Sequence, residues 1–106
     1  MTKSNEYMLT VNRDDLAKGI KTAVFGIKKK TTGNFLLLFA DGQLTLRGPV
    51  AETIIPAEGN WPITVSLPAQ IAKILEKVLT DSATQHIQFK DGRLFIEKFS
   101  IAAQEA

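Results

Sequence analysis

The sequence TVNRDDLAKGIK at residues 10–21 decides the fold, because TVSLPAQIAKIL at residues 64–75 follows nearly the same pattern. Each stretch joins the end of an alternating strand to the start of a helix. Each is followed by an Asp-Gly turn, in DGQLTL at residues 41–46 and in DGRLFI at residues 91–96. Recurrence at a spacing of roughly 50 residues indicates an internal repeat. We therefore predict two similar halves, over residues 7–56 and 61–103.

Composition limits the class of protein. The chain has 106 residues, of which 44% are hydrophobic and 23% charged, which predicts one globular domain over residues 1–106. It has no cysteine, which excludes disulfides, thiolate nucleophiles and cysteine-based zinc sites. The longest apolar run, residues 35–40, is too short for a signal sequence or a membrane span, so we expect a cytoplasmic protein.

The sequence of the first half predicts a strand, a helix and three further strands. Residues 1–6 show no periodic pattern and are expected to form a loose end, whereas residues 7–11 alternate as a strand. Asn12 can cap a helix that runs to about Phe25. Phe25 falls on the polar side, so the helix ends before it or something outside the domain covers the ring. The following strands are predicted at residues 34–40, 44–47 and 51–55, the first of them central.

The second half repeats this order. Residues 59–62 form a loop, in which Trp61 either fills a gap in the core or anchors a partner, and residues 63–65 form a strand. Pro68 suits the first position of a helix that continues to about Leu79. Its predicted apolar face contains Ile71, Ile74, Leu75, Val78 and Leu79. Residues 83–90 predict a strand, and residues 93–103 one long strand or two short ones.

Two helices cannot cover both faces of so many strands. We therefore predict an α+β fold in which the helices pack side by side on antiparallel sheets. Their polar sides then form one shared surface. On it, the repeat is expected to place Lys18 and Lys73 at equivalent positions, with Lys21 and Lys77 close by.

In the order of these elements the sequence resembles one domain of the DNA sliding clamps, most closely the bacterial DNA polymerase III beta subunit. Several stretches keep the family's order and together reach from about residue 7 to residue 101. They are VNRDDL at residues 11–16, KTT at 30–32, LLLFADGQLTL at 36–46, IPAE at 55–58, ITV at 63–65, PA at 68–69 and DGRLFI at 91–96.

This resemblance implies a duplicated β-α-β-β-β unit whose helices line a channel around duplex DNA. By position, it implies DNA contacts from Lys18, Lys21, Lys73 and Lys77, together with Lys28, Lys29 and Lys30. The run at residues 28–30 is otherwise a solubilising loop. Such contacts to phosphate weaken with salt and read no sequence.

The edge strands are the second candidate surface. Segments 51–55 and 99–103 are either guarded edges or pairing surfaces of a homo-oligomer. The candidate interface residues are Phe25, Thr53, Ile55, Phe99 and Ile101. Clamp chains contain two or three such domains, so a closed ring of this chain would need about six copies.

No pattern predicts an enzyme, a cofactor or a metal site. His86 has no second His or Cys to complete a site, and Asp14 with Asp15 suits the start of a helix. The expected function is a sliding-clamp-like protein that self-assembles through edge strands and contacts duplex DNA, with a polymerase or another replication protein as a further partner. The alternative is a clamp-fold interaction or decoy protein, of the mobile-element type, that binds a protein partner without DNA.

Overall fold

The computed structural model describes residues 7–106, and the loose end expected at residues 1–6 lies outside them. The first half contains β1 (Tyr7–Asn12), α1 (Arg13–Val24), β2 (Asn34–Ala40), β3 (Gln43–Arg47), β4 (Glu52–Pro56) and β5 (Glu58–Asn60). The second half contains β6 (Val65–Pro68), α2 (Ala69–Ala72), a 3-10 helix (Lys73–Lys77), β7 (Thr84–Lys90), β8 (Arg93–Ile96), β9 (Phe99–Ala102) and β10 (Gln104–Glu105).

Each half contributes its first strand to the sheet of the other half. The first sheet has the order β5-β1-β7-β8-β9 and the second has the order β10-β6-β2-β3-β4, with all neighbours antiparallel. Neither sheet is complete without a strand from the other half. The predicted α+β class with two antiparallel sheets is confirmed.

The two Asp-Gly turns have the same geometry. Asp41 and Gly42 have φ of 52° and 76°, and Asp91 and Gly92 have φ of 53° and 74°. Positive φ at both central residues is the conformation that a two-residue hairpin requires and that Asp-Gly tolerates. The carbonyls of Gly42 and Gly92 each accept a hydrogen bond at 3.0 Å, from the N–H groups of Ala57 and Ala103. The turns therefore set the register of β2 with β3 and of β7 with β8.

A single hydrophobic core joins the sheets and α1. It contains Leu9 and Ile87 from the first sheet, Phe35 and Leu44 from the second, and Leu16 and Ile20 from α1. Trp61 is also buried, so it fills the core and does not present its ring to a partner. α1 packs closely on β3 and β4, since a Cβ on Gly19 would lie 3.0 Å from side-chain atoms of both Leu46 and Ile55. None of the helices within residues 7–106 is long and apolar enough to cross a membrane.

The prediction for the second helix is wrong in length and for two residues of its apolar face, Ile71 and Ile74. Leu75 is buried, and Val78 and Leu79 pack on the core, as predicted. Only residues 69–72 are α-helical, and a 3-10 helix continues to Lys77. Ala69, Ala72 and Leu75 are buried, whereas Ile71 and Ile74 are 43% and 44% exposed. A 3-10 helix has three residues per turn, so positions three apart lie on one line. The buried residues of this segment are therefore spaced three apart, and do not follow the period of 3.6 residues on which the predicted apolar face was based.

Three other segments also differ from the prediction. Residues 58–60 form β5 on the outer side of β1, where a loop was expected. The strand predicted at 63–65 lies at 65–68, so Pro68 ends β6 and Ala69 begins the helix. Residues 104–105 form an unpredicted strand beside β6. α1 ends at Val24, and the next residue is extended and 76% exposed, as expected if the helix stops before Phe25.

A buried glutamine connects the loop after the 3-10 helix to β7. Gln85 has no exposed surface, and its Nε2 donates to Thr80 Oγ1 and to the carbonyl of Ser82, both at 2.9 Å. From α1, the Arg13 side chain donates to the Thr80 carbonyl at 2.6 Å. This network holds the start of α1, the loop and β7 together.

We predict that Gln85→Ala lowers the free energy of unfolding by about 1–3 kcal/mol, because it leaves a cavity and removes buried hydrogen bonds. Denaturant unfolding measures the change. The control is Gln88→Ala on the same strand, where the side chain is half-buried, and we expect a change within about 0.5 kcal/mol. Equal losses in the two variants would contradict a structural role for the Gln85 network.

Candidate functional site

α1 and the second helical segment lie side by side with opposite directions. At one end, the Arg13 N–H donates to the Ala83 carbonyl at 2.8 Å, so the start of α1 lies beside the loop that follows the 3-10 helix. At the other end, the Lys73 ammonium donates to the Ile27 carbonyl at 3.2 Å. α1 also packs directly on the 3-10 helix. The exposed sides of α1, α2 and the 3-10 helix therefore form one surface, named here the helical face.

All seven lysines predicted to contact DNA are exposed, but they do not form a uniform patch. Lys18 and Lys21 lie on α1, Lys73 and Lys77 on the 3-10 helix, and Lys28, Lys29 and Lys30 in the loop after α1. Exposed Asp14 and Glu76 share the helices with them. Lys73 differs from the others because its ammonium is hydrogen-bonded to Ile27. The helical face is therefore mixed in charge, and its densest positive segment is the loop.

Strand pairing changes the expected equivalence of two lysines. Val11 lies opposite Gln85, and Leu67 lies opposite Phe35. Since β2 and β7 match through their Asp-Gly turns, Asn12 corresponds to Pro68. Ala17 then corresponds to Lys73, and Lys18 to Ile74. The expected equivalence of Lys18 and Lys73 is wrong by one residue, whereas Lys21 and Lys77 do correspond.

The loop that carries the basic run is held by hydrogen bonds. The Thr31 N–H donates to the Lys28 carbonyl at 3.0 Å, and the Lys28 N–H donates to Thr31 Oγ1 at 2.8 Å. From α2, Gln70 Nε2 donates to the carbonyls of Lys28 and Thr31. Sequence reasoning missed Gln70, because its partners are about 40 residues away and no local pattern marks the contact.

The strands at residues 52–56 and 99–102 end their respective sheets. β4 pairs only with β3, and β9 pairs only with β8. Thr53 and Phe99 occupy matching positions, opposite Leu46 and Ile96. Thr53 is half-buried, and so are Phe99 and Ile101, which pack on the core.

Ile55 and Phe25 differ most in how accessible their side chains are to a partner. Ile55 is buried against Gly19, so only its backbone is available to a partner strand. The exposed Phe25 ring lies at the end of α1 and lines a small surface depression with Ala51, beside the start of β4. Val50 is 60% exposed in the same region, and together with Phe25 and Ala51 it makes the surface beside the start of β4 apolar.

Solved structures with the same arrangement of strands and helices are bacterial replication clamps. The Caulobacter crescentus beta sliding clamp matches with a TM-score of 0.73 at 20% identity, over 96% of this chain and 30% of that chain. The sliding clamp of Pseudomonas aeruginosa gives 0.71 at 17% identity, over 95% of this chain and 31% of its own. The clamp of Bacillus subtilis gives 0.72 at 16% identity, over 96% and 32%.

The fold is that of one sliding-clamp domain. This confirms, for the fold, the resemblance predicted from the sequence. The chain spans 30–32% of the length of these three clamps. No protein-family model matches the chain, and no curated protein matches its sequence significantly.

A histidine and a glutamate lie in close contact beside edge strand β9. The His86 N–H donates to Glu97 Oε2 at 2.6 Å, and His86 Nδ1 lies 2.9 Å from the same oxygen. The hydrogen bond from the His86 backbone is the largest cause and lowers the pKa of Glu97, burial opposes it, and the His86 side chain lowers the pKa further. Within residues 7–106, no three His, Cys, Asp or Glu side chains are grouped to hold a metal ion.

We predict that Glu97→Gln makes the stability of the fold less dependent on pH under acidic conditions. Because the folded pKa lies below the unfolded value of about 4.3, Glu97 stabilises the fold above that pH and loses this effect as pH falls through the folded pKa. Melting temperatures between about pH 5 and about pH 3 measure the slope. Glu76→Gln, at an exposed carboxylate of the 3-10 helix, is the control and should keep the parental slope. Parallel profiles for all three proteins would contradict the prediction.

Proposed function

We propose that the chain is a sliding-clamp-like protein that self-assembles through β4 and β9 and contacts duplex DNA non-specifically through the helical face. The observation that carries this proposal is the clamp-domain fold over nearly the whole described chain, with the matching strand unpaired at the end of each sheet. The proposal includes one domain over residues 1–106, built from repeated halves. It assigns no catalysis, cofactor or metal.

Backbone pairing is the physical basis of the proposed assembly. An edge strand presents unpaired N–H and C=O groups, which a second strand can satisfy. β4 and β9 end different sheets, each opposite a shorter end strand, β10 or β5, so we propose that β4 of one copy pairs with β9 of the next. A repeated head-to-tail contact closes into a ring when its rotation allows. Three of the matched clamps are about three times as long as this chain, so a ring with the length of two such clamps would contain about six copies.

Phosphate attraction is the physical basis of the proposed DNA contact. Lysines on both helical segments and in the loop after α1 share the helical face. Phosphate contacts release counterions and read no bases, so they allow movement along the duplex. The acidic residues on the same face limit the attraction, which suits a mobile contact. The proposed partners are therefore duplex DNA, further copies of the chain, and a polymerase or another replication protein.

One observation favours the alternative function. Ile71 and Ile74 are exposed on the helical face, where a DNA-contacting surface has little use for apolar side chains. A clamp-fold interaction or decoy protein would use them to bind a protein partner without DNA. Assembly and DNA binding separate the two functions.

We predict that the purified chain forms a complex several times its monomer mass of 11.6 kDa. Phe25→Glu should shift it towards the monomer, because a charge would replace an exposed apolar ring beside β4. Light scattering after size exclusion at tens of micromolar measures the mass. Met8→Glu is the control, since Met8 is exposed on an interior strand of the first sheet. A parent protein that stays monomeric would refute self-assembly.

We predict that binding to long duplex DNA weakens steeply between low and moderate salt. Lys21→Glu should reduce affinity about tenfold at low salt, because it reverses a charge on the helical face. Lys90→Glu makes the same change at the end of β7 opposite to the end that pairs with Asn12 before α1, and should have less than about a twofold effect. Fluorescence anisotropy measures both. Equal effects of the two substitutions would place the DNA contact elsewhere.

A further inference from the structure

The loop after α1 forms a turn with two lysines at its corners. Residues 28 and 31 are joined twice, by the Thr31 N–H to the Lys28 carbonyl at 3.0 Å and by the Lys28 N–H to Thr31 Oγ1 at 2.8 Å. Lys29 and Lys30 occupy the corners between them and are exposed. These two residues are named here the basic tip. Because the ends of the turn are joined, the tip has a defined shape.

The second helical segment holds this turn against the helical face. Gln70 Nε2 carries two N–H donors, and its acceptors are the carbonyls of Lys28 and Thr31, the latter at 2.8 Å. Lys73 follows three residues later and donates to the carbonyl of Ile27 at 3.2 Å. The carbonyl oxygens of Ile27, Lys28 and Thr31 therefore accept from side chains of α2 and the 3-10 helix. Their partial negative charge is directed at these donors.

We propose that Gln70 is a positioning residue for phosphate contact by Lys29 and Lys30, and that Lys73 supports the loop and does not contact phosphate. This inference rests on the proposed DNA contact. Gln70 is uncharged, so it adds no attraction of its own. By holding the loop in one conformation before binding, it reduces the conformational entropy that is lost when the lysines contact the phosphates.

The corresponding loop at the other end of the helices has no such tip. The Arg13 side chain contacts the Thr80 carbonyl there, as Gln70 contacts the loop after α1. That loop is TDSA at residues 80–83, with an acidic residue and no lysine. The positioned basic segment is therefore confined to the end of the helical face where α1 finishes.

A double-mutant cycle on the full chain tests the positioning role. Gln70→Ala is made in the parent and in the Lys29→Ala/Lys30→Ala variant, and affinity for long duplex DNA is measured by anisotropy across a salt series. Alanine suits a helix, so the fold should persist, and melting temperatures verify it. Gln43→Ala, at an exposed glutamine of β3, is the matched control.

We expect Gln70→Ala to reduce affinity about three- to tenfold in the parent and to lower the salt dependence. In the Lys29→Ala/Lys30→Ala background it should change nothing, because the residues through which it acts are absent. Equal losses in both backgrounds, or no loss in the parent, would overturn the positioning role while leaving the DNA contact intact. A parent that binds no DNA at low salt would overturn both proposals.

Discussion

The exchange of first strands between the two sheets is the constraint on which the rest of the structure depends. β1 completes the sheet of β7, β8 and β9, while α1, which follows it directly, packs on β3 and β4 of the other sheet. α1 therefore links the two sheets through the shared core, to which both contribute side chains. Since the second half follows the same path, its helical segment comes to lie beside α1. One exposed helical face results from the topology of the strands.

That topology also brings the end of each helical segment to the start of the other. Arg13 holds the loop after the 3-10 helix, and Gln70 and Lys73 hold the loop after α1. The backbone arrangement is similar at the two ends, but the side chains differ. A basic tip lies in one loop, whereas Asp81 lies in the other. The two ends of the helical face therefore have similar backbone arrangements but different charge, with lysines in one loop and an aspartate in the other.

The same pattern applies to the edges. β4 and β9 are matching strands that end different sheets, and both leave one side of the backbone unpaired. Only the start of β4 has the exposed ring of Phe25 beside it, with Val50 close by. Contact between β4 of one copy and β9 of another would give an open head-to-tail series or a ring, whereas contact between two copies of the same edge would give a closed dimer.

Local sequence patterns determined the two Asp-Gly turns, α1 with its Asn12 cap, and the strands that flank the turns. These features depend on residues close together in the chain, whose φ angles, caps and periodicity can be read directly. Only the tertiary structure decided the 3-10 geometry that exposes Ile71 and Ile74, the burial of Ile55, and the use of Lys73 and Gln70 to hold a distant loop. Those outcomes depend on which strands and helices come together. Hydrogen bonds and burial between residues far apart in the chain exist only because β1 and β6 each pair in the sheet of the other half.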